Sequence, residues 1–356
     1  MHIVILGVNH KTAPIEIRER FFLNPTQQDL LLSELKSDPK VLEAIVLSTC
    51  NRIEIYARTI QDANDRDFLV KHLLNVKKIN SAHDLQQYFY FYQNEEAVRH
   101  FLKVTAGLDS LMLGEKQIIG QVKSSVDRAR EMKMLDRHFN ILSNVAIRTA
   151  KKAQTDTEIS HGGSSISWAA MTMAENLLGT LEGKSILIIG AGKMGELTLE
   201  QIRNKGVKNI YLMNRTGSAA QSLAEAHNGI PVSFDEIKET LAEVDVCVCA
   251  ASAPHYILEK KGVEKVMTLK RDRKLILIDI SMPRNIDPQV ASIESVYLSC
   301  IDDLDRVVNE NMRKRQSAVS AVESIITQKL HEYYEKLSKL KDNDFTPQTP
   351  ESIEIL

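Results

Sequence analysis

Apolar positions along this chain change their period between its two halves. From residue 1 to about 110, short apolar runs (HIVILGV, AIVLS, IEIYA) are interleaved with amphipathic stretches such as TQQDLLLSELK, DFLVKHLLNVKK and EEAVRHFLKVTAGLDSLM, the mixture expected of an α+β domain with a small sheet. Residues 117–180 hold helical spacing almost throughout, interrupted by TDTEISHGGSS at 155–165, where paired glycines and small polar residues mark a loop and a domain boundary. Beyond it, KSILIIG, KNIYLMN, VDVCVCAAS and KLILIDIS are short continuous apolar runs separated by helical segments. That spacing predicts βαβ units in a doubly wound parallel sheet. A stretch without Gly or Pro follows from Ile301, predicting one long helix ahead of a Pro- and Thr-bearing tail. The expected fold class is therefore multidomain α/β. An α+β unit spans 1–155, a Rossmann-type unit 165–300, a long connecting helix 301–342 and a disordered tail 343–356.

Composition narrows the function classes. With 43% hydrophobic and 26% charged residues the chain can fill ordinary cores. Its 45 Lys plus Arg against 47 Asp plus Glu exclude a generally basic coat for nucleic acid and leave room only for a local basic face. The apolar start ends at Gly7 without a basic flank, so it reads as a strand. No run approaches the roughly 20 apolar residues that span a bilayer, and the expected location is the cytoplasm. The cysteines Cys50, Cys247, Cys249 and Cys300 form no CxxC pair or disulfide-like framework, as in a reducing compartment. No metal site is predicted.

Gly190, Gly192 and Gly195 form G-x-G-x-x-G between an apolar strand and a helical pattern. The first glycine makes the turn, the second lets backbone approach a pyrophosphate, and the third seats the helix against the strand. The candidate nucleotide loop is therefore Gly190, Ala191, Gly192, Lys193, Met194 and Gly195. An NAD site would carry Asp or Glu at the end of the next strand. This chain has Asn214, Arg215 and Thr216 there, which suit a 2′-phosphate and favour NADPH.

Cys50 stands at a corner between two strand-like runs, in LSTCNRIEIYA. Arg52 and loop N–H groups are expected to lower its thiol pKa. A small buried hydrophobe is the plain alternative, but Ser48, Thr49, Asn51 and Arg52 interrupt the apolar pair where a core has no use for them. Cys247 and Cys249 alternate along an interior strand and read as core. A second polar cluster, Ser110, Glu115, Gln117 and Gln121, could line one pocket, with a capped helix start at Asp109 or Ser110 as the alternative. His100 lies on an amphipathic helix, where a structural role is the ordinary reading.

Six segments in order, NHKTAP, LSTCNRIEIYA, GLDSLMLGEKQIIGQVK, GAGKMGEL, NRT and DISMPRNIDP, make the chain resemble the glutamyl-tRNA reductases of the five-carbon route to tetrapyrroles. The resemblance implies that Cys50 attacks the ester of glutamyl-tRNA(Glu) to form a thioester, which NADPH reduces to glutamate 1-semialdehyde. It implies that Thr49, Cys50, Asn51 and Arg52 contact the glutamyl group, with Arg52 pairing a carboxylate. Ser110, Glu115, Lys116, Gln117 and Gln121 would complete that pocket, and His100 would be linked to activity. It also implies glutamate-1-semialdehyde aminomutase as the partner that takes the aldehyde.

The match has departures. Family members usually continue past the long helix into a helical dimerisation domain, so this chain reads as a short member whose homodimer is left open. Lys152 and Gln154 stand where the family tends to carry arginines. Two alternatives follow: a non-catalytic paralogue that binds tRNA or haem as a regulator or scaffold, and a precorrin-2 dehydrogenase-like oxidoreductase. The second has no need of the Thr49 to Arg52 cluster.

Overall fold

The computed structural model describes residues 2–60, 65–79, 83–160, 165–270, 273–304 and 316–343. The expected tail and part of the TDTEISHGGSS loop, residues 161–164, lie outside them. The first unit contains β1 (His2–Asn9), α1 (Ile15–Phe21), α2 (Pro25–Ser37), β2 (Val41–Ser48), β3 (Arg52–Thr59), α3 (Asp65–Lys77), β4 (Tyr90–Gln93) and α4 (Asn94–Thr105). Its four strands form an antiparallel sheet in the order β2-β3-β1-β4. β1 and β3 are central and nearly all their residues are buried; β1 reads as an almost continuous apolar run, whereas β3 buries Arg52 and Glu54 among apolar residues. Two further helices, α5 (Gln117–Glu131) and α6 (Arg137–Asp156), complete the unit.

The second unit begins with α7 (Ile166–Leu178), where the Ser165 hydroxyl caps the helix by accepting from Trp168 N at 3.1 Å. It alternates β5 (Ser185–Ile189), α8 (Lys193–Ile202), β6 (Asn209–Met213), α9 (Gly217–His227), β7 (Ile230–Val232), α10 (Ile237–Glu243), β8 (Val246–Cys249), α11 (Lys260–Lys270), β9 (Leu275–Asp279) and β10 (Val296–Cys300). All pairings are parallel, in the order β10-β9-β8-β5-β6-β7. This is the doubly wound order with a switch point between β5 and β8. The sequence reading anticipates the four inner strands but not the edges. β7 has only three residues, one of them Pro231, and β10 exposes Tyr297, so neither carries a buried-strand pattern.

Residues Ile301–Leu304 form a 3-10 turn, and a helix of 28 residues, α12, runs over Gln316–Asn343. Its Val322, Ile326, Leu330 and Tyr333 pack into the core of the first unit, against α4 and α6. The two units interpenetrate: Leu111 and Met112, from the loop before α5, belong to the core of the second unit.

Candidate functional site

Cys50 occupies a three-residue turn between β2 and β3. Thr49 N donates to Arg52 O at 2.8 Å, and the Thr49 hydroxyl accepts from Asn51 N and Arg52 N, each at 3.2 Å. Asn51 O accepts from His10 N of the loop after β1 at 3.0 Å. Thr49, Asn51 and Arg52 are buried; the cysteine is half-buried. Its side chain leaves its own core and packs with Met194 and Ala250 against the core of the second unit.

The expectation of a lowered thiol pKa is corrected here. Burial pushes Cys50 up, to about 12, and the nearby Glu115 carboxyl adds to the rise; Arg18, a backbone hydrogen bond and Arg52 oppose it without prevailing. Arg52 has little effect because its charge is already compensated. Its Nη1 donates to Glu54 Oε1 at 2.8 Å and Asp109 Oδ2 at 2.9 Å, and its Nη2 donates to Asp109 O. Cys50 therefore rests as a thiol, and its ionisation needs a proton acceptor.

Glu115 is that neighbour. Only 6% exposed, it is pushed up to about 7 by burial, against the pull of Arg52. Gln117 opens α5 with a buried Nε2 that has no hydrogen-bond partner, while Lys116 is exposed at the rim. Ser110 is buried in the same loop.

His100 lies one layer deeper. It does not line the cavity beside Cys50; its Nε2 sits 2.8 Å from Glu54 Oε1, and its ring packs on Tyr90 and Tyr92. The buried Glu54 also accepts from the Tyr56 and Tyr90 hydroxyls, and together with Arg52 these hold its carboxyl far below the usual range. Gly7 makes this possible: it faces Glu54 on one side and Tyr90 on the other. A Cβ at Gly7 would strike the Tyr90 ring at 2.4 Å.

Sequence reasoning missed Glu54, Lys11 and His10, and gave Asp109 only a capping role. Lys11 Nζ lies 2.5 Å from Asp109 Oδ1. His10 has a buried, unpartnered Nδ1 and is lowered to about 4 by burial and the Arg52 and Lys11 charges. The signal for His10 and Lys11 lay in NHKTAP, a polar run directly after a buried strand.

The glycine loop behaves as its spacing predicts. Gly190 has φ +115, and a Cβ there would meet Ala250 O at 2.6 Å; one at Gly195 would meet Gly190 O at 2.0 Å. A Cβ at Gly192 would meet nothing within 4 Å, leaving backbone open to a ligand at the N-terminus of α8. Asn214 Oδ1 accepts from Ala191 N at 3.3 Å. Gly190, Gly192 and Asn214, with Arg215, Thr216 and Ala250–Ala253, line a cavity of about 460 Å³, a cradle that suits a dinucleotide; Ala191 and Gly195 are not part of its lining. A second cavity, about 610 Å³, is lined by Cys50, Gln117, Gln121, Lys193, Met194 and Ser281 among others. The two cavities share Ala250, Ala251 and Ser252 at the end of β8. The Cys50 cavity and the glycine-loop cavity thus share a wall at Ala250–Ser252.

Comparison with known proteins agrees with this geometry. Residues 6–157 match the family model described as glutamyl-tRNA(Glu) reductase, N-terminal domain, and residues 172–307 that of shikimate / quinate 5-dehydrogenase. The chain is 36% identical over 340 residues to a glutamyl-tRNA reductase of Bacillus subtilis (strain 168), covering 96% of this chain and 74% of that protein. It is 36% identical over 347 residues to one of Thermodesulfovibrio yellowstonii, covering 96% and 81%. The solved glutamyl-tRNA reductase from Methanopyrus kandleri is 34% identical, with a TM-score of 0.53 over 96% of this chain and 82% of that one.

Proposed function

The chain belongs to the glutamyl-tRNA reductase family, and we propose that it works through a thioester on Cys50 with NADPH as its cofactor. It is a nicotinamide-dependent oxidoreductase of the first step of tetrapyrrole biosynthesis. The observation that carries the reading is the wall that the Cys50 cavity and the glycine-loop cavity share at Ala250–Ser252. Acyl transfer needs the thiol to lose its proton as sulfur attacks the ester carbonyl, and the departing 3′-oxygen of the tRNA needs one. Glu115 takes the proton from Cys50 and returns it to that oxygen; a carboxyl that titrates near neutrality is matched to both halves of the transfer. Arg52 receives a glutamyl carboxylate in exchange for Asp109, with Thr49, Asn51, Ser110, Gln117 and Gln121 around it. His100, through Glu54, keeps Arg52 aligned as a positioning residue.

Gly190 to Gly195 would hold the pyrophosphate of a nicotinamide dinucleotide and Arg215, exposed at the end of β6, its 2′-phosphate; the chemistry it would supply there is hydride for the thioester, a better acceptor than a carboxylate. Arg215→Ala is expected to raise the Michaelis constant for NADPH by about tenfold or more and to leave that for NADH unchanged. Equal effects on both would assign the site to NADH. The substrate is tRNA(Glu) carrying glutamate, and the aldehyde passes in the cytoplasm to glutamate-1-semialdehyde aminomutase. Among the described residues, no helix is long and apolar enough to cross a membrane.

The decisive test is single turnover with glutamyl-tRNA and NADPH, trapping the acyl-enzyme. Wild type should be acylated at Cys50, and Cys50→Ser should lose at least about a thousandfold in rate. A Cys50→Ser protein that still forms semialdehyde would overturn the thioester.

A further inference from the structure

The cavity at Cys50 is longer than the acyl group it must hold. One face of α5 lines it from end to end through Gln117, Gly120, Gln121, Ser124 and Arg128, successive turns at helical spacing. From Gln117 to Arg128 that stripe runs about 16 Å at 1.5 Å per residue. A glutamyl group, four C–C bonds from ester carbonyl to side-chain carboxylate, spans roughly 5 Å at about 1.5 Å per bond, so most of the groove faces something other than glutamate.

The lining says what. Lys116, Arg128 and Lys193 contribute three cations, and no Asp or Glu is found among the described residues that line the cavity, in a chain whose net charge is -2. Arg128 and Lys193 each keep one carboxylate partner outside the lining, Asp29 at 2.6 Å and Glu196 at 2.9 Å; Lys116 is exposed at the mouth. Phe22, at the end of α1, offers an aromatic surface in the same cavity. Gly120 interrupts a helix interior, where glycine is unfavourable, yet a Cβ there would meet no protein atom within 4 Å. Packing within the chain therefore gives no reason for the glycine, whereas a flat ligand lying on that turn would. Cations along a groove together with an aromatic platform are how single-stranded nucleic acid is held without reading its sequence. Gln117, whose Nε2 is buried and unpartnered, is part of the same lining.

We propose that the Gln117–Arg128 face of α5, with Phe22 in the same cavity, is the groove that takes the single-stranded acceptor end of the tRNA, with a base lying on the bare turn at Gly120. This rests on the reductase reading above and adds the place where the RNA, as distinct from its glutamyl group, is gripped. The test uses the full chain with Gly120→Leu, which favours the helix, and Phe22→Ala. Each should raise the Michaelis constant for glutamyl-tRNA about tenfold or more, while iodoacetamide alkylates Cys50 of Gly120→Leu at the wild-type rate. Lys116→Ala should reduce the slope of log affinity against log salt by about 0.7. An unchanged Michaelis constant in Gly120→Leu overturns the groove. So does a rise matched by an equal fall in alkylation, which would mean that the added side chain had collapsed the cavity around the thiol. A wild-type chain that glutamyl-tRNA never acylates would sink the reductase reading instead. In that case uncharged tRNA decides the groove: protection of Cys50 from iodoacetamide in wild type but not in Gly120→Leu supports it, and no protection in either overturns it.

Discussion

Glu115 shows what one side chain costs when it is kept for chemistry. Its carboxyl rises from 4.5 to about 7 in the folded chain, so between those values the native state holds a proton that the unfolded state has released. Stability is then fully present below about 4.5 and falls as pH rises through 7, by about 3 kcal/mol for this group. Glu115→Gln removes the titration. It should be more stable than wild type at pH 8 and differ little at pH 4, while losing acyl transfer; urea midpoints across the range measure the difference, and a difference that stays constant with pH would mean that Glu115 does not titrate in this way. At this scale the sequence was legible where a residue answers a local need. Gly190 and Gly195 are required by contacts inside one βα turn, and Cys50 announces itself by polar neighbours in an apolar strand pair. Glu54 was not legible. It alternates with Ile53 and Ile55 like any solvent-facing strand residue, and two of the groups that enclose it, Tyr90 and His100, lie far along the chain. The thiol pKa was misjudged because burial, which a window of sequence does not show, dominates it, and because Arg52 is spent on Glu54 and on Asp109, 57 positions away.

Among the elements, α1 has a role out of proportion to its seven residues. Arg18 is fully buried, donating to Ala13 O at 3.0 Å and to both oxygens of Asp302, at 2.6 and 3.3 Å. One turn's worth of the same helix offers Glu16 and Glu19 to Arg284, which meets Glu19 through Nε and Nη2 at 3.1 and 2.9 Å and Glu16 through Nη1 at 2.9 Å. Both pairs cross between the two units. Removing one partner of a buried pair leaves an uncompensated charge. Asp302→Ala should therefore cost about 3 kcal/mol and split one calorimetric transition into two as the units melt separately. A single transition at the wild-type temperature would show that the clasp carries no coupling. The helix pattern of α1 could be read from IEIRERF, but its partners could not, since Asp302 and Arg284 lie beyond two sheets in sequence. Edge strands β7 and β10 escaped for a simpler reason: short and half-exposed, they lack the apolar run that betrayed β5, β6, β8 and β9.

On the scale of the whole molecule, the division into a small antiparallel sheet and a doubly wound parallel one was legible because each sheet has its own period. What joins them was not. Leu111 and Met112 cross into the second core, α12 returns to the first, and Cys50 points away from the sheet that bears it. All are products of tertiary packing, invisible to a window of sequence. The meeting of two cavities at Ala250–Ser252 has a consequence for the order of events. On the proposed reading, dinucleotide and RNA would occupy the two cavities on either side of that shared wall, so neither would have to depart before the other arrives. Initial-rate lines at several fixed concentrations of NADPH should then intersect when plotted in reciprocal form. Parallel lines would mean that the two visitors take turns, and that the acyl group waits alone on the sulfur with water as its only company.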